Sequence, residues 1–297
     1  MTKHWPYLLL STAMLAACGG GSGAPTAGGG SGFLGGGGLV LDPTDDGIVP
    51  EDPADDSEVV VTPAALSDDL GQVIYDSGAG TLQVSMLPFD GSPQLASYMR
   101  DAGLDISGYQ AYELEENSNS RKYYALFKTL DHVTAGSVAT DVDFNTYFGG
   151  SAFQVLTAPT LPGSGIATYQ APYAGLWAVT NTNEGDGPTR VTGDALLNID
   201  FNDLVVFGNV QNRQTEGGAN LPEITLFFTA LDGTTFIGQV KDTLSGDTTG
   251  VYGGAIGGSN AAEVATVLVF EPIPDTPNEY GSFVADLGCI SSPGAPC

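Results

Sequence analysis

The clearest pattern along the chain is an alternation of apolar and polar residues in its second half. In Val191–Phe201 the odd positions are mostly apolar and the even positions mostly polar, and Ile224–Ala230 alternates in the same way. A period of two is that of a β-strand with one buried face and one solvated face. Asp232-Gly233, which follows the second run, favours a tight hairpin turn. The pattern therefore predicts antiparallel strands in succession.

About eight such segments follow one another in the second half, the number at which an antiparallel sheet closes around its own side chains. Their ranges are 166–179, 191–201, 204–210, 224–230, 235–241, 249–256, 264–270 and 279–286. We therefore predict an eight-stranded antiparallel up-and-down β-barrel over residues 161–288. Its inward rows are predicted to contain Leu197, Ile199, Phe201, Leu226 and Phe228.

Shorter β-like runs fill residues 66–160. Gly71–Asp76 and Thr81–Leu87 predict one hairpin, and Tyr109–Leu114 and Lys122–Leu130 predict a second one around a polar turn. These residues are predicted to form a small β-rich subdomain, called the handle below. The fold class is therefore all-β, with the handle preceding the barrel.

One helix is predicted between these hairpins. Ser92 is a suitable N-cap, Pro93 suits the first helical position, and Gly103 is a stop signal. The apolar side chains of Leu95–Met99 would form the buried face of this helix.

The amino terminus has the layout of a secretory signal. Lys3 precedes an apolar run, Tyr7–Leu15, which is too short to span a bilayer. The run ends in Leu-Ala-Ala-Cys, which resembles the lipobox of bacterial lipoproteins. That resemblance implies that residues 1–17 are removed as a signal peptide and that Cys18 is diacylated and then N-acylated, for example with palmitate. The alternative is an ordinary secretory signal with a cysteine near its cleavage site.

Residues 18–65 are predicted to be a disordered tether. Glycine occupies 12 of the 20 positions in 19–38, and eight of the 17 residues in 42–58 are acidic. Such stretches bury too little apolar surface to offset the entropy lost on ordering.

Cysteine usage fits an oxidising compartment. With Cys18 lipidated, Cys289 and Cys297 remain as an even pair, and we predict a disulfide that closes a C-terminal tail, residues 289–297. The competing idea, a metal or redox site, lacks further ligands and a Cys-x-x-Cys spacing. The sequence therefore predicts no metal and no cofactor.

The charge of the chain is lopsided. Eight Lys and Arg residues stand against 35 Asp and Glu, a formal net charge of −27. So acidic a surface repels phosphates and anionic membranes, which excludes a direct nucleic-acid role. Solubility or adaptation to a salty medium explains the acidity without a ligand.

Several segments of the predicted barrel carry a family resemblance. These are Ala167–Gly175, Gly193–Ala195, Ile199–Phe201, Val251–Gly254 and Asn260–Glu263. They resemble the barrel of transferrin-binding protein B-like surface lipoproteins, a superfamily that includes the factor H-binding proteins. The resemblance covers roughly residues 160–288 and implies a handle and an eight-stranded barrel behind a glycine-rich lipidated tail. This chain has one such lobe where the transferrin receptor has two.

The sequence offers little for catalysis. After signal removal His132 is the remaining histidine, and no Gly-x-Ser-x-Gly elbow supplies a nucleophile, so we predict a surface-turn histidine and no catalytic residue. Tyr169, Tyr173 and Trp177 are candidates for a ligand mouth or a protein contact. The competing interpretation is that they pack the barrel, as aromatic residues at strand spacing usually do.

These observations favour a lipid-anchored, non-enzymatic binding protein with a protein partner. Gly19 replaces the aspartate that would resemble an inner-membrane retention signal, so the predicted location is the outer membrane, at the cell surface of a Gram-negative bacterium. Two or more acyl chains would make this anchoring stable. One alternative is a carrier of a small apolar ligand or an iron-related compound inside the barrel, and another is a structural or adhesive envelope lipoprotein.

Overall fold

A computed structural model describes residues 38–39, 62–76, 79–86, 95–115, 122–140, 147–178, 187–273 and 276–291. Cys18, the signal peptide, most of the predicted tether and Cys297 lie outside these residues. Lipidation, signal cleavage and the Cys289–Cys297 disulfide therefore stay predictions. The division of the chain into 1–17, 18–65, 66–160, 161–288 and 289–297 also stays a prediction.

The first half of the described chain forms a seven-stranded antiparallel sheet. Two short paired strands, β1 (Gly38–Leu39) and β2 (Thr62–Pro63), and one helical turn, α1 (Ala64–Ser67), precede it. The strands of the sheet, in chain order and in spatial order, are β3 (Leu70–Asp76), β4 (Thr81–Met86), β5 (Ala96–Arg100), β6 (Gln110–Glu115), β7 (Lys122–Thr129), β8 (Val133–Thr140) and β9 (Gly149–Val155). Both predicted hairpins are present, as β3–β4 and β6–β7.

The predicted helix at 92–103 is wrong. Residues 92–94 lie outside the described part of the chain, residues 96–100 form β5, and a single 3-10 turn follows at Ala102–Leu104. β5 pairs with β4 on one side and β6 on the other, so both strands satisfy the backbone of this segment. Tyr98 is buried while the next side chain, Met99, is 73% exposed, an alternation that belongs to a strand.

The second half forms a closed eight-stranded antiparallel barrel. Each strand pairs with the next along the chain, and the last pairs with the first. The strands are β10 (Ile166–Trp177), β11 (Thr189–Asp200), β12 (Val205–Thr215), β13 (Ile224–Asp232), β14 (Thr235–Asp242), β15 (Thr248–Gly257), β16 (Glu263–Phe270) and β17 (Glu279–Ser291). The all-β handle-and-barrel fold predicted from the sequence is confirmed. β17 is longer than predicted and contains Cys289.

Side chains from all eight strands fill the barrel. Leu197, Ile199, Phe201 and Leu226 are buried there, as predicted. Phe228 is not: it is 62% exposed, because a β-bulge in β13 shifts the alternation so that Leu231 points inward instead. The inward placement of Phe228 is therefore corrected.

The handle sheet packs directly on the barrel wall. One hydrophobic cluster contains handle residues such as Leu126 and Phe153 together with barrel residues such as Leu176 and Val267. Ser151 of β9 donates a hydrogen bond to the Leu268 carbonyl of β16 over 3.2 Å. Within the described part of the chain, no helix has the length and apolarity needed to cross a membrane.

Candidate functional site

The three aromatic candidates are placed within the barrel and at its end. Tyr169 and Tyr173 are fully buried, and Trp177 is partly buried against the same cluster. The Tyr169 hydroxyl donates to the Ala261 carbonyl over 2.8 Å, and Trp177 Nε1 donates to the Pro277 carbonyl over 3.0 Å. Their polar atoms are thus bonded within the chain, and their role as ligand contacts stays a prediction.

Tyr173 belongs to a buried ionic network. Its hydroxyl donates to Glu279 Oε1 over 2.6 Å, and Arg213 Nη2 donates to Glu279 Oε2 over 2.5 Å. Both charged side chains have no exposed surface. Arg213 also donates to the Pro222 carbonyl, and its guanidinium lies 4.9 Å from the ring centroid of Phe270. Burial, and then the neighbouring Glu279 carboxylate, raise the pKa of Tyr173 well above its usual range.

Sequence reasoning missed this ion pair. In β12 a bulge opposite β11 places two residues where one is expected, and Asn212 adopts a left-handed φ of 51°. Without the bulge the alternation from Val206 and Val210 would turn Arg213 outward, whereas in the structure it points into the barrel. Asparagine tolerates this backbone conformation better than most residues, so Asn212 is the one local signal that could have indicated the bulge.

A cleft of about 650 Å³ lies where the handle meets the barrel. Its charged lining residues are Lys128 and Asp131 of the handle and Glu263 and Asp286 of the barrel. Burial lowers the pKa of Lys128, although the charge of Asp286 opposes the shift, and burial raises the pKa of Glu263. Lys128 Nζ lies 5.7 Å from the ring centroid of Tyr109. The cleft is polar and of mixed charge, unlike a pocket for an apolar ligand.

His132 lies beside this cleft, in the turn between β7 and β8. It is half-buried, and its ring lies so close to Gly258 that a β-carbon there would approach Cδ2 to 2.3 Å. Its backbone N–H donates to Glu263 Oε2 over 2.8 Å, while its Nδ1 is buried and has no hydrogen-bond partner among the described residues. The predicted surface-turn histidine is therefore a turn residue wedged against the barrel.

Metal ligation has no preassembled site in the described ranges. No group of three or more His, Cys, Asp or Glu side chains there could hold a metal ion.

A handle sheet packed on a closed antiparallel barrel defines a two-part all-β protein of the handle-and-barrel class. The solved structures similar to it include intact Ap-TbpB with its N and C lobes, a surface lipoprotein, and isotype 1 transferrin binding protein B from serogroup B Neisseria meningitidis. The identities are 14%, 12% and 15%, and the TM-scores 0.38, 0.38 and 0.35.

The similar regions cover different shares of these proteins. They span 77%, 73% and 74% of this chain and 56%, 96% and 51% of the three solved chains, in the same order. The chain therefore spans about half the length of intact Ap-TbpB and of the Neisseria meningitidis protein. No family model and no curated protein matches it. At these identities and TM-scores, the similarity says nothing of what this chain binds.

Proposed function

We propose that this chain is a lipid-anchored, non-enzymatic binding protein of the outer membrane that presents its handle and barrel to a protein partner at the cell surface. The observation that carries the proposal is the occupancy of the barrel interior. Apolar side chains and the Arg213–Glu279 pair fill it, so binding falls to the outer surfaces. The sequence resemblance of residues 1–18 to a lipoprotein signal supports the anchor.

The anchor is tested by replacing the lipidated residue. In cells fed radiolabelled palmitate, the unmodified chain is expected to incorporate label and to fractionate with the outer membrane, whereas Cys18→Ser is expected to do neither. Ser22→Ala is the matched control, because it changes a residue close to Cys18 and leaves the lipobox and the predicted Cys289–Cys297 disulfide intact. Label retained by Cys18→Ser would contradict the proposal.

Surface exposure is tested separately with protease. Protease added to intact cells is expected to degrade the chain, while a periplasmic marker in the same cells survives. A chain that survives on intact cells and is degraded only after lysis would place it on the periplasmic face.

The partner is tested by capture on the mature chain from growth medium and from host fluid, followed by mass spectrometry. A protein identified in this way is expected to bind again when purified, with a measurable dissociation constant and one-to-one saturation. The control is the same capture on urea-unfolded chain. If the folded chain retains no protein that this control does not also retain, a structural or adhesive lipoprotein becomes the better proposal. The carrier alternative has less support, since the barrel interior is filled.

A further inference from the structure

Three phenylalanines meet on the outer wall of the barrel, where solvated side chains are expected. Phe228 packs on Phe207, with ring centroids 4.9 Å apart, and on Phe227, with centroids 5.9 Å apart. Phe228 is 62% exposed, Phe227 is 42% exposed, and Ile237 of the neighbouring strand is 45% exposed. We call these four residues the aromatic patch.

The β-bulge in β13 creates this patch. Val206 pairs with Thr229 and Gly208 pairs with Leu226, so the single residue Phe207 faces both Phe227 and Phe228. A bulge inserts one residue and re-aims side chains. Two consecutive phenylalanines are thereby exposed, although a regular strand would bury one of them.

An apolar pocket of about 280 Å³ adjoins the patch at Ile237. Its apolar walls come from Pro63, Phe153, Ala230 and Phe236, and its one charged lining residue is Asp232. Among the described residues, the Asp232 carboxylate has no hydrogen-bond or ion-pair partner. The pocket thus combines an apolar body with a single unpaired negative charge.

The charge and the strand pairing around the aromatic patch limit the kinds of partner that can bind to it. A second copy of this chain or an anionic membrane would meet a chain of net charge −27 and be repelled. An added β-strand is excluded because β12, β13 and β14 are each paired on both sides within the closed barrel. Lys241 Nζ already lies 3.9 Å from the ring centroid of Phe227, so the place left for a partner's positive charge is the exposed Asp232 carboxylate. A partner that docks here is expected to offer apolar side chains to Phe228 and a positive charge to Asp232.

We propose that the aromatic patch and its pocket bind a protein partner through an arginine flanked by large apolar side chains. The arginine stem packs along the apolar pocket walls while its guanidinium pairs with Asp232, and the flanking side chains pack on Phe228. Large apolar contacts beside a filled pocket are the usual centre of a protein interface. The inference rests on the proposed function, because it assigns a surface and a chemistry to the partner.

The test is a selection of displayed random twelve-residue peptides on the immobilised full chain. Enriched peptides are expected to contain arginine between apolar residues. For the best peptide, Phe228→Ser is expected to weaken binding about 30-fold, the size of an interface hot spot. Asp232→Asn is expected to weaken it about tenfold, the size of a charged hydrogen bond, and it preserves the turn because Asn-Gly also favours hairpins.

Leu244→Ser is the matched control, since Leu244 is 92% exposed in the turn between β14 and β15 and lies outside the patch. It is expected to change affinity less than about twofold, as surface substitutions usually do. Acidic enriched peptides, or affinities that both Phe228→Ser and Asp232→Asn leave unchanged, would overturn the proposal. Binding to uncharged phosphatidylcholine vesicles that Phe228→Ser abolishes would overturn it too.

Failure of this proposal is distinguishable from failure of the proposed function. If a captured protein partner binds Phe228→Ser and the unmodified chain with equal affinity, the aromatic patch is not its binding surface. The proposed binding function is unaffected by that result. Loss of the lipid anchor or of every protein partner removes the proposed function itself, whatever the displayed peptides show.

Discussion

Inside the barrel, one arginine and one glutamate depend on each other. Arg213 and Glu279 have no exposed surface, so each would be an uncompensated charge without the other. We expect Glu279→Gln to lower the free energy of unfolding by about 3–5 kcal/mol, the usual cost of breaking a buried pair. Urea unfolding followed by circular dichroism measures this loss.

The surface pair Arg190–Glu216 provides the matched control. Glu216→Gln is expected to cost at most about 1 kcal/mol, because water screens a partly exposed pair. The double variant Arg213→Met, Glu279→Leu should be more stable than Glu279→Gln alone, since it leaves no buried charge. Equal costs for Glu279→Gln and Glu216→Gln would contradict the account of a buried pair.

Asp69 gives the stability of the protein a pH dependence. Burial, assisted by the charge of Asp68, raises the pKa of Asp69 to about 6, although the Gly149 N–H donates to its carboxylate. The folded chain therefore holds a proton that the unfolded chain has released, so this group makes stability fall as pH rises from about 4 to about 6. In Asp69→Asn the fall should be smaller.

The measurement is the difference in unfolding free energy between Asp69→Asn and the unmodified chain at several pH values. This difference should grow in favour of Asp69→Asn across that window and stay constant above it. Leu244→Ser is the control, because Leu244 is 92% exposed and carries no titratable group, so its difference should stay constant across the same window. A flat difference for Asp69→Asn would refute the assignment.

Among the elements, β5 distinguishes most sharply between two interpretations of the same residues. If Ala96–Arg100 is a strand, Tyr98 packs in the handle core while Met99 faces solvent. Tyr98→Ser should then cost about 3 kcal/mol or more, as large-to-small core changes do. Met99→Ser should stay within about 0.5 kcal/mol. Similar losses for both variants in thermal unfolding would favour a helix that buries both side chains.

The same element shows where sequence reasoning ends. The alternation in β11 was enough to predict a half-buried strand with Leu197 and Ile199 inside, and the observed barrel agrees. The capping residues at 92–103 predicted a helix because they are local signals. They carry no information about β4 and β6, whose edges pair with residues 96–100 and make this segment a strand. The bulges at Asn212 and at Phe227–Phe228 also depend on the partner strand. One inserted residue moves every later side chain of the strand to the opposite face of the sheet. For this reason the sequence predicted neither the buried Arg213 nor the exposed aromatic patch.

The whole molecule should unfold as one unit. Each part has a core of its own, but the cluster that joins them is covered from both sides, so opening of either part would expose apolar surface of the other. Once residues 1–17 are removed, Trp177 is the sole tryptophan, and it reports on the barrel alone. Its fluorescence and the far-ultraviolet circular dichroism of both sheets should give one urea midpoint. Two separate midpoints would mean that the handle and the barrel unfold independently.

The pairing of the first barrel strand with the last has a consequence for the order of assembly. Every other barrel pair joins strands adjacent in sequence, whereas Ser291 of β17 donates to the Ile166 carbonyl of β10 across 125 residues. Contacts between residues so far apart in sequence form slowly. The seven strands β10 to β16 can therefore pair as an open sheet before β17 closes the barrel. Glu279 arrives on that last strand. Until β17 pairs, Arg213 lacks its counter-ion Glu279. The unpaired edges of β10 and β16 can then pair with other chains. A copy of this protein in which β17 has not yet joined the sheet is thus the form most vulnerable to aggregation.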